Sequence, residues 1–314
     1  MQQLPFNEML KNLIEHYDIV KHYHLNTEEE ILLDSTESTS CRFCGKQEPN
    51  VTFNSAAHTI PHSTGNRTLK SKYECDTCNQ LFGKYESQFT QYMKFAHVFA
   101  QVSKGGGSKV PKFKNNSSEK SNIRVENGNF NVTCVEGEDL RCDIDKEHKK
   151  VKITGKRSYI PQDVFKAIVK MALSIMPEEE MIYFSDTLQW LQGKRTCGGK
   201  LIVIQRMYIG INPFMFDSCM IFKRKNDSMQ VPAYIFGLAY YSFFIQIAIP
   251  LCKKDLSKQG ANMTMPYIPT PLDEKKVHCS IECHDLTSTK KVINEDIVMT
   301  LSFSDMEELD LQQS

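Results

Sequence analysis

Cys41-Arg42-Phe43-Cys44-Gly45 and, after 30 intervening residues, Cys75-Asp76-Thr77-Cys78-Asn79 decide the fold of the N-terminal part of this 314-residue chain. Each stretch holds a Cys-x-x-Cys pair, and two such pairs supply the four thiolates of a tetrahedral Zn²⁺ site. Gly45 suits the tight turn of the first pair. Because four thiolates fill the coordination sphere of zinc, the sequence predicts a structural ion with no open position for water.

The insert between the two pairs contains Ala57-His58-Thr59-Ile60-Pro61 and then Gly65-Asn66. With these motifs in this order, residues 41 to 89 resemble the HNH endonucleases. Members of that family often clamp a ββα-metal unit with two Cys-x-x-Cys pairs around a His-x-x-Pro, a Gly-Asn and a terminal Cys-x-x-Cys-Asn. The resemblance implies one-metal hydrolysis of a phosphodiester that leaves 5′-phosphate and 3′-hydroxyl ends.

The resemblance also implies a role for three side chains. His58 is the implied general base, because a neutral imidazole can take a proton from the attacking water. Asn79 is the implied ligand of a catalytic Mg²⁺ or Mn²⁺, since its amide oxygen is a hard donor. Asn66 is the implied residue that orients the base and its loop, and a simple turn residue after Gly65 is the alternative.

One position departs from the family pattern. Many HNH enzymes carry an acid directly before the first histidine as a metal ligand, and this chain has Ala57 there. The cation therefore needs another ligand, and Glu86 lies seven residues after Asn79, on the same face of a predicted helix. The candidates, with the first two ranked above the third, are Glu86, His62 and Glu74. A unit that lacks such a ligand would bind nucleic acid without cleaving it.

The charge of the chain is uneven. The whole sequence has 38 basic and 38 acidic residues, which excludes a uniformly basic nucleic-acid coat. Residues 1–40 hold two lysines against eight acids, whereas residues 41–122 hold twelve basic residues against five acids. The second segment can attract phosphate, although an ordinary solvated surface is the alternative. The candidate phosphate contacts are Arg67, Lys70, Lys72 and Lys84.

The pattern along the chain predicts an α+β fold with two domains. Residues 103–122 combine Gly, Ser and Lys with almost nothing to bury, which indicates a flexible linker. An N-terminal helical segment and the HNH unit (core 41–90) would occupy 1–102, and an α+β recognition domain would occupy 123–314. In that domain we expect hairpins around Asn127-Gly128, helices over 161–176 and 178–191, and strands over 201–208, 219–223, 234–249, 279–283 and 297–303.

Three further features bear on location and metal binding. No signal peptide is readable, and 11 cysteines is an odd number, so we expect a cytoplasmic protein with reduced thiols. The uncharged stretch 231–251 could span a bilayer, but its prolines and β-branched residues favour buried strands, and we expect no membrane partner. The cysteines and histidines of 278–284 would alternate between two faces of a strand, which predicts a core strand instead of a metal site.

The sequence therefore predicts a metal-dependent DNA endonuclease with structural Zn²⁺ and catalytic Mg²⁺ or Mn²⁺. Bacterial proteins with this layout resemble effectors of anti-phage defence or restriction systems. A regulatory protein or a small-molecule trigger would act through the C-terminal domain, and a homo-oligomer is compatible with cleavage of both strands. The alternative is a non-catalytic zinc-ribbon module that binds nucleic acid or protein through the same basic surface.

Overall fold

The computed structural model describes residues 5–34, 40–104, 109–114, 120–210, 212–258 and 263–306. Helices and strands both contribute to the core, so the predicted α+β class is confirmed. The helices are α1 (Phe6–His16), α2 (Asp76–Phe99), α3 (Pro161–Ile175), α4 (Ser185–Leu191) and α5 (Pro271–Glu274). The strands are β1 (Tyr17–His24), β2 (Ile31–Leu33), β3 (Ala57–His58), β4 (Leu69–Ser71), β5 (Asn122–Glu126), β6 (Asn129–Thr133), β7 (Arg141–Asp145), β8 (Lys150–Tyr159), β9 (Ile202–Tyr208), β10 (Ser218–Arg224), β11 (Tyr234–Tyr240), β12 (Phe243–Ala248), β13 (Cys279–Asp285) and β14 (Val292–Ser302).

The two Cys-x-x-Cys pairs enclose β3 and β4, and the second pair lies at the start of α2, which gives a ββα unit. Strands β3 and β4 pair antiparallel, and β2 adds to the other side of β4 in parallel. Helix α2 begins at Asp76, whose carboxylate accepts hydrogen bonds from Thr52 and Asn54 and suits the positive end of the helix dipole. Its buried side chains recur every three or four residues from Cys78 to Tyr92, so one face of α2 enters the core.

A six-stranded antiparallel sheet of order β1-β10-β11-β12-β9-β13 forms the largest layer. The uncharged stretch 231–251 supplies its two central strands, β11 and β12, and every residue of β11 is buried. Tyr241, at a φ of 47°, turns the chain between them. The prediction of buried strands is therefore confirmed. None of the helices in the described part of the chain combines the length and apolar character that crossing a bilayer requires.

The N-terminal segment contributes to both halves of the molecule. It is helical over α1, but it then forms the edge strand β1, which pairs with β10 of the large sheet. Only seven residues later, β2 joins the small sheet of the ββα unit. Residues 17–24 thus lie in a sheet whose other strands come from 202–285, because an edge strand needs only a neighbour with free backbone groups. The domain limits at 102 and 123 stay a prediction.

Helix α3 lies between α2 and the large sheet, and its residues are almost entirely buried. The single helix predicted over 178–191 is wrong, because the structure divides it into a 3₁₀ helix, Glu178–Tyr183, and α4. Side-chain contacts explain the break. Glu180 turns inward to bond Tyr234 and Lys223, and the ring of Phe184 packs 5.0 Å from that of Tyr234.

The segment predicted as a linker is described only in part. Residues 105–108 and 115–119 lie outside the described residues. Between them, Phe113 is buried, bonds through its backbone to Ile123 and packs 5.0 Å from the ring of Phe95 in α2. The next hairpin, β5–β6, turns at Asn127-Gly128 as expected, and β7, β8 and β14 form a separate three-stranded sheet.

The cysteine- and histidine-containing stretch 278–284 forms strand β13 at the edge of the large sheet. The strand is confirmed, but its predicted burial is wrong, since Cys283 is exposed and the side chain of Ile281 is 49% exposed. Alternation keeps its ligand-type side chains apart. Within the described ranges, Cys41, Cys44, Cys75 and Cys78 form the one group of three or more ligand-type side chains close enough to hold a metal.

Candidate active site

The four cysteines of the two pairs converge on one point. Their sulfur atoms all lie within 4.8 Å of one another, and the Sγ atoms of Cys44 and Cys75 are 3.8 Å apart. A tetrahedral ion with Zn–S bonds of about 2.3 Å requires S···S separations of about 3.8 Å. Cys41, Cys75 and Cys78 are buried, so the protein itself supplies the whole environment of the ion. The donor set therefore fits a structural zinc ion.

Backbone hydrogen bonds hold the first Cys-x-x-Cys pair in a turn suited to metal binding. The N–H of Gly45, at a φ of 71°, donates to the carbonyl of Cys41 at 2.8 Å, and the N–H of Cys41 donates to Lys46. The N–H of Cys75 points at the Sγ of Cys41 at 3.4 Å, which joins the two pairs. Such N–H groups stabilise thiolate charge around a metal.

His58 ends strand β3 and is half-buried, so the residue is not closed off from solvent. Burial lowers its pKa below the ordinary value, His62, Lys70 and Lys170 lower it further, and Glu86 acts in the opposite direction. The rings of His58 and His62 are in edge contact, with centroids 5.2 Å apart. The surroundings therefore keep the imidazole of His58 neutral near pH 7, which is the form that accepts a proton.

Asn66 holds the loop that follows His58. Its side chain is fully buried, and its amide donates to the carbonyls of Ile60 and Leu69 at 2.8 and 3.0 Å. Its oxygen accepts from the N–H of Leu69 at 3.1 Å, so the amide is used by the backbone of the loop itself. Asn66 thus fixes the loop two residues after His58 rather than the imidazole directly.

One face of α2 lies beside this loop. Asn79 and Glu86 are seven residues apart on that face, and both are half-buried. Thr90, one turn further, donates to the hydroxyl of Ser63 at 3.0 Å, which shows that the face is directed at the loop carrying His62. Of the predicted cation ligands, His62 contacts the ring of His58 and Glu86 is close enough to act on its pKa.

Glu74, the third candidate for a cation ligand, is closed off from solvent. It is 1% exposed, and neither carboxylate oxygen has a hydrogen-bond partner among the described residues. Burial raises its pKa to about 7, against the lowering effect of Lys170, whose Nζ lies 3.4 Å from its Oε2. Glu74 lies in the interior next to Lys170, where a hydrated cation cannot enter.

The candidate phosphate contacts differ in their surroundings. Arg67, Lys72 and Lys84 are exposed, as a residue that meets a nucleic-acid backbone must be. Lys70 instead forms an ion pair with Glu30, and it lies opposite His58 in the β3–β4 pairing. Its charge is therefore partly neutralised by a residue of the same chain.

Sequence reasoning missed Lys170. This residue of α3 is 0% exposed, and its Nζ donates to the carbonyl oxygen of His58 at 2.6 Å and to Glu86 at 3.1 Å. Burial lowers the pKa of Lys170, but Glu74 and Glu86 together raise it above the ordinary value. The sequence did contain one indication of a buried lysine. Lys166 and Lys170 are the only charged residues after Asp163 in a helix that is apolar on all sides.

Comparison with known proteins gave one result. Residues 41–94 match the family described as HNH endonuclease. Searches among curated proteins and among solved structures gave no match. The matched segment contains the four cysteines, His58, Asn66 and Asn79, so the predicted resemblance of this unit is confirmed for 54 of the 314 residues.

Proposed function

We propose that this chain is a metal-dependent endonuclease that hydrolyses phosphodiester bonds in DNA. The observation that carries the proposal is the position of His58 in the segment that matches HNH endonucleases. The histidine is half-buried at the end of β3, and Lys170 bonds both its carbonyl oxygen and Glu86 of α2, the helix that also carries Asn79. This arrangement combines a general base with side chains suited to a divalent cation.

In the proposed reaction, the imidazole of His58 takes a proton from a water molecule as its oxygen attacks phosphorus. The P–O bond to the 3′ oxygen breaks, and this oxygen takes a proton from solvent, which gives a 5′-phosphate and a 3′-hydroxyl end. A bound Mg²⁺ or Mn²⁺ would stabilise the charge that develops on the phosphate and on the leaving oxygen. Asn66 keeps the loop after His58 in place, so the base need not reorganise during the reaction.

The proposed cation ligands are Asn79, Glu86 and His62. Only one oxygen of Glu86 is engaged by Lys170, and the side chain is 24% exposed, so the other oxygen is available. His62 is exposed next to His58. Glu74 is excluded as a ligand because it is buried. Glu86 and His62 would thus replace the acid that is missing at Ala57.

The exposed side chains of Arg67, Lys72 and Lys84 are proposed to contact DNA phosphates. Lys70 would contribute less, because Glu30 neutralises it. Phosphate contacts of this kind add affinity without sequence preference and weaken as salt rises. Each lost contact should therefore reduce the slope of log affinity against log salt by about one unit.

We also propose a cellular role as an effector of a bacterial anti-phage defence or restriction system. The support is the layout, in which a small nuclease unit packs on a larger α+β part that bears no match of its own. That larger part would respond to a regulatory protein or a small molecule. In phage infection of cells that express the protein, plaque reduction should require His58.

Cleavage of supercoiled plasmid by the purified protein tests the proposed reaction. We expect cutting that depends on Mg²⁺ or Mn²⁺, stops with EDTA and falls at least about 10²-fold in His58→Ala. His148→Ala is the matched control, because His148 is an exposed histidine on the turn between β7 and β8. Both variants should keep one zinc per chain, which shows that the unit is folded.

The cation ligands can be tested in the same assay. Glu86→Gln and His62→Ala should raise the Mn²⁺ concentration needed for half-maximal cutting, whereas Glu74→Gln should not. If wild type and His58→Ala both bind DNA and zinc but neither cuts under any cation, the alternative of a non-catalytic zinc-ribbon module holds.

A further inference from the structure

Helix α3 is anchored on the zinc-binding unit at its C-terminal end. The guanidinium of Arg42, between the first two cysteines, donates to the carbonyls of Leu173 and Met176 at 3.1 and 2.8 Å. Tyr73 donates to the carbonyl of Ser174, on the same turn. These bonds satisfy the orphan carbonyls that end a helix, and the positive charge suits that end of the dipole. Helix α3 is therefore held in a fixed position on the unit.

From this fixed helix, Lys170 extends to the candidate active site. Its side chain is 1% exposed, and its two hydrogen-bond acceptors and its second ion-pair partner, Glu74, all belong to the segment 41–94. The shortest contact, 2.6 Å, is with the backbone oxygen of His58, and the others are with Glu86 on α2 and Glu74 after β4. The ammonium thus connects the strand that carries His58 with the helix that carries Glu86.

We infer that Lys170 is a positioning residue of the nuclease site, supplied by a helix outside the HNH-matching segment. It fixes the backbone of His58 against the carboxylate of Glu86, so that the base and the cation ligand keep one separation. The inference rests on the proposed function for its catalytic consequence. Its geometric content, that Lys170 sets the position of His58, is independent of catalysis.

The chemistry of the site supports this role over simple packing. A buried ammonium is costly, and a methionine of similar volume would fill the same space without that cost. The ammonium also adds directional bonds, because its N–H groups donate to oxygens on β3 and α2 while its charge pairs with the buried carboxylate of Glu74. A backbone shift of about 1 Å at a catalytic residue can reduce a rate by about 10²-fold.

Three variants separate positioning from folding. Lys170→Met removes the contacts but leaves Glu74 buried without its partner. The double variant Lys170→Met/Glu74→Gln removes that carboxylate charge as well, so its stability should recover. Lys166→Met is the matched control, because Lys166 is a buried lysine one turn earlier on α3 that lies over the rings of Tyr85 and Trp190.

We expect the double variant to keep one zinc per chain and a melting temperature close to that of wild type. Its kcat for plasmid cleavage should still fall by about 10²-fold, with KM within about threefold of wild type. Lys166→Met and Glu74→Gln alone should cut at the wild-type rate. A double variant that cuts like wild type would overturn the inference, and so would one that fails to fold.

A second measurement does not need activity. The ring resonances of His58 in ¹H–¹³C spectra, identified among the nine histidines with His58→Ala, should shift in the double variant and stay in place in Lys166→Met. If wild type does not cleave DNA but these resonances shift, the proposed function fails and the positioning by Lys170 stands. If they stay in place, the inference fails whatever the activity.

Discussion

A Cβ atom added to Gly65 would lie 2.7 Å from Cε2 of Tyr241, so the loop after His58 packs directly on the turn between β11 and β12. The backbone of Gly65 also has a φ of 95°, a conformation that residues with a side chain rarely adopt. The hydroxyl of the same tyrosine bonds Ser103 at 2.7 Å, just beyond α2. Tyr241 therefore contacts both the Gly-Asn loop and the segment that follows α2.

Gly65→Ala should destabilise the protein by about 1–3 kcal/mol, because the new methyl group meets both backbone strain and the tyrosine ring. Urea unfolding measures the change. Gly83→Ala is the control, since a Cβ at Gly83 on α2 meets nothing within 4 Å. That change should be neutral or stabilising by up to about 1 kcal/mol. Equal effects at both positions would contradict the close packing.

Arg42→Met should lower the free energy of unfolding by about 2 kcal/mol, because it leaves the carbonyls at the end of α3 without their charged donor. The change is read from urea unfolding with zinc content measured in parallel. Glu178→Gln removes the exposed partner of the same guanidinium and should cost less than about 0.5 kcal/mol. A larger loss in Glu178→Gln would show that Arg42 stabilises the protein through the ion pair and not through the carbonyls at the end of α3.

Cys44→Ser should abolish tight zinc binding and unfold the ββα unit, because three remaining thiolates no longer close the tetrahedron. Metal analysis and far-ultraviolet circular dichroism before and after chelation measure the loss. Cys142→Ser, an exposed cysteine on β7, should keep one zinc per chain. Zinc retained in the Cys44 variant would exclude the four-cysteine site.

Acid should destabilise the protein through His97, which is buried and bonded to Tyr240 at 3.0 Å. Burial lowers its pKa from about 6.5 to about 3 in the folded protein. Below pH 6.5, His97 binds a proton in the unfolded chain but not in the folded protein. The free energy of unfolding therefore decreases as pH falls toward 3.

His97→Gln should remove this part of the acid sensitivity while it keeps a polar partner for Tyr240. Between pH 6 and pH 4, the free energy of unfolding of wild type should fall more steeply than that of the variant. The extra fall is up to about 1.4 kcal/mol per pH unit. Urea titrations at pH 8, 6, 5 and 4 measure it. Parallel pH profiles would show that His97 is protonated in the folded state.

Much of the site could be read from the sequence because its signals are local. The spacing of Cys41, Cys44, Cys75 and Cys78 predicted a cluster whose sulfur atoms do converge. The resemblance to HNH endonucleases also implied that His58 ends a strand and that Asn79 lies at the start of a helix, as the structure has them. The burial of the stretch 234–249 could be predicted because a continuous apolar run is typical of a central strand, but the turn at Tyr241 that divides it into β11 and β12 was not predicted.

The parts that the sequence left undetermined depend on residues far apart in the chain. The split of 178–191 comes from Glu180 and Phe184 packing on Tyr234, which no helical period predicts. The pairing of β1 with β10 joins segments about 200 residues apart through backbone hydrogen bonds, which leave no motif in the sequence.

The sequence by itself determined the zinc-binding unit, because its ligands, turns and helix start are encoded within residues 41 to 94. Tertiary structure alone decided that Lys170 meets the carbonyl of His58 across 112 positions of the chain. A single lysine in an apolar helix belongs to no motif that would predict its partners. Because a buried ammonium must be paired with oxygens, its partners come from whichever element packs against it in the folded protein.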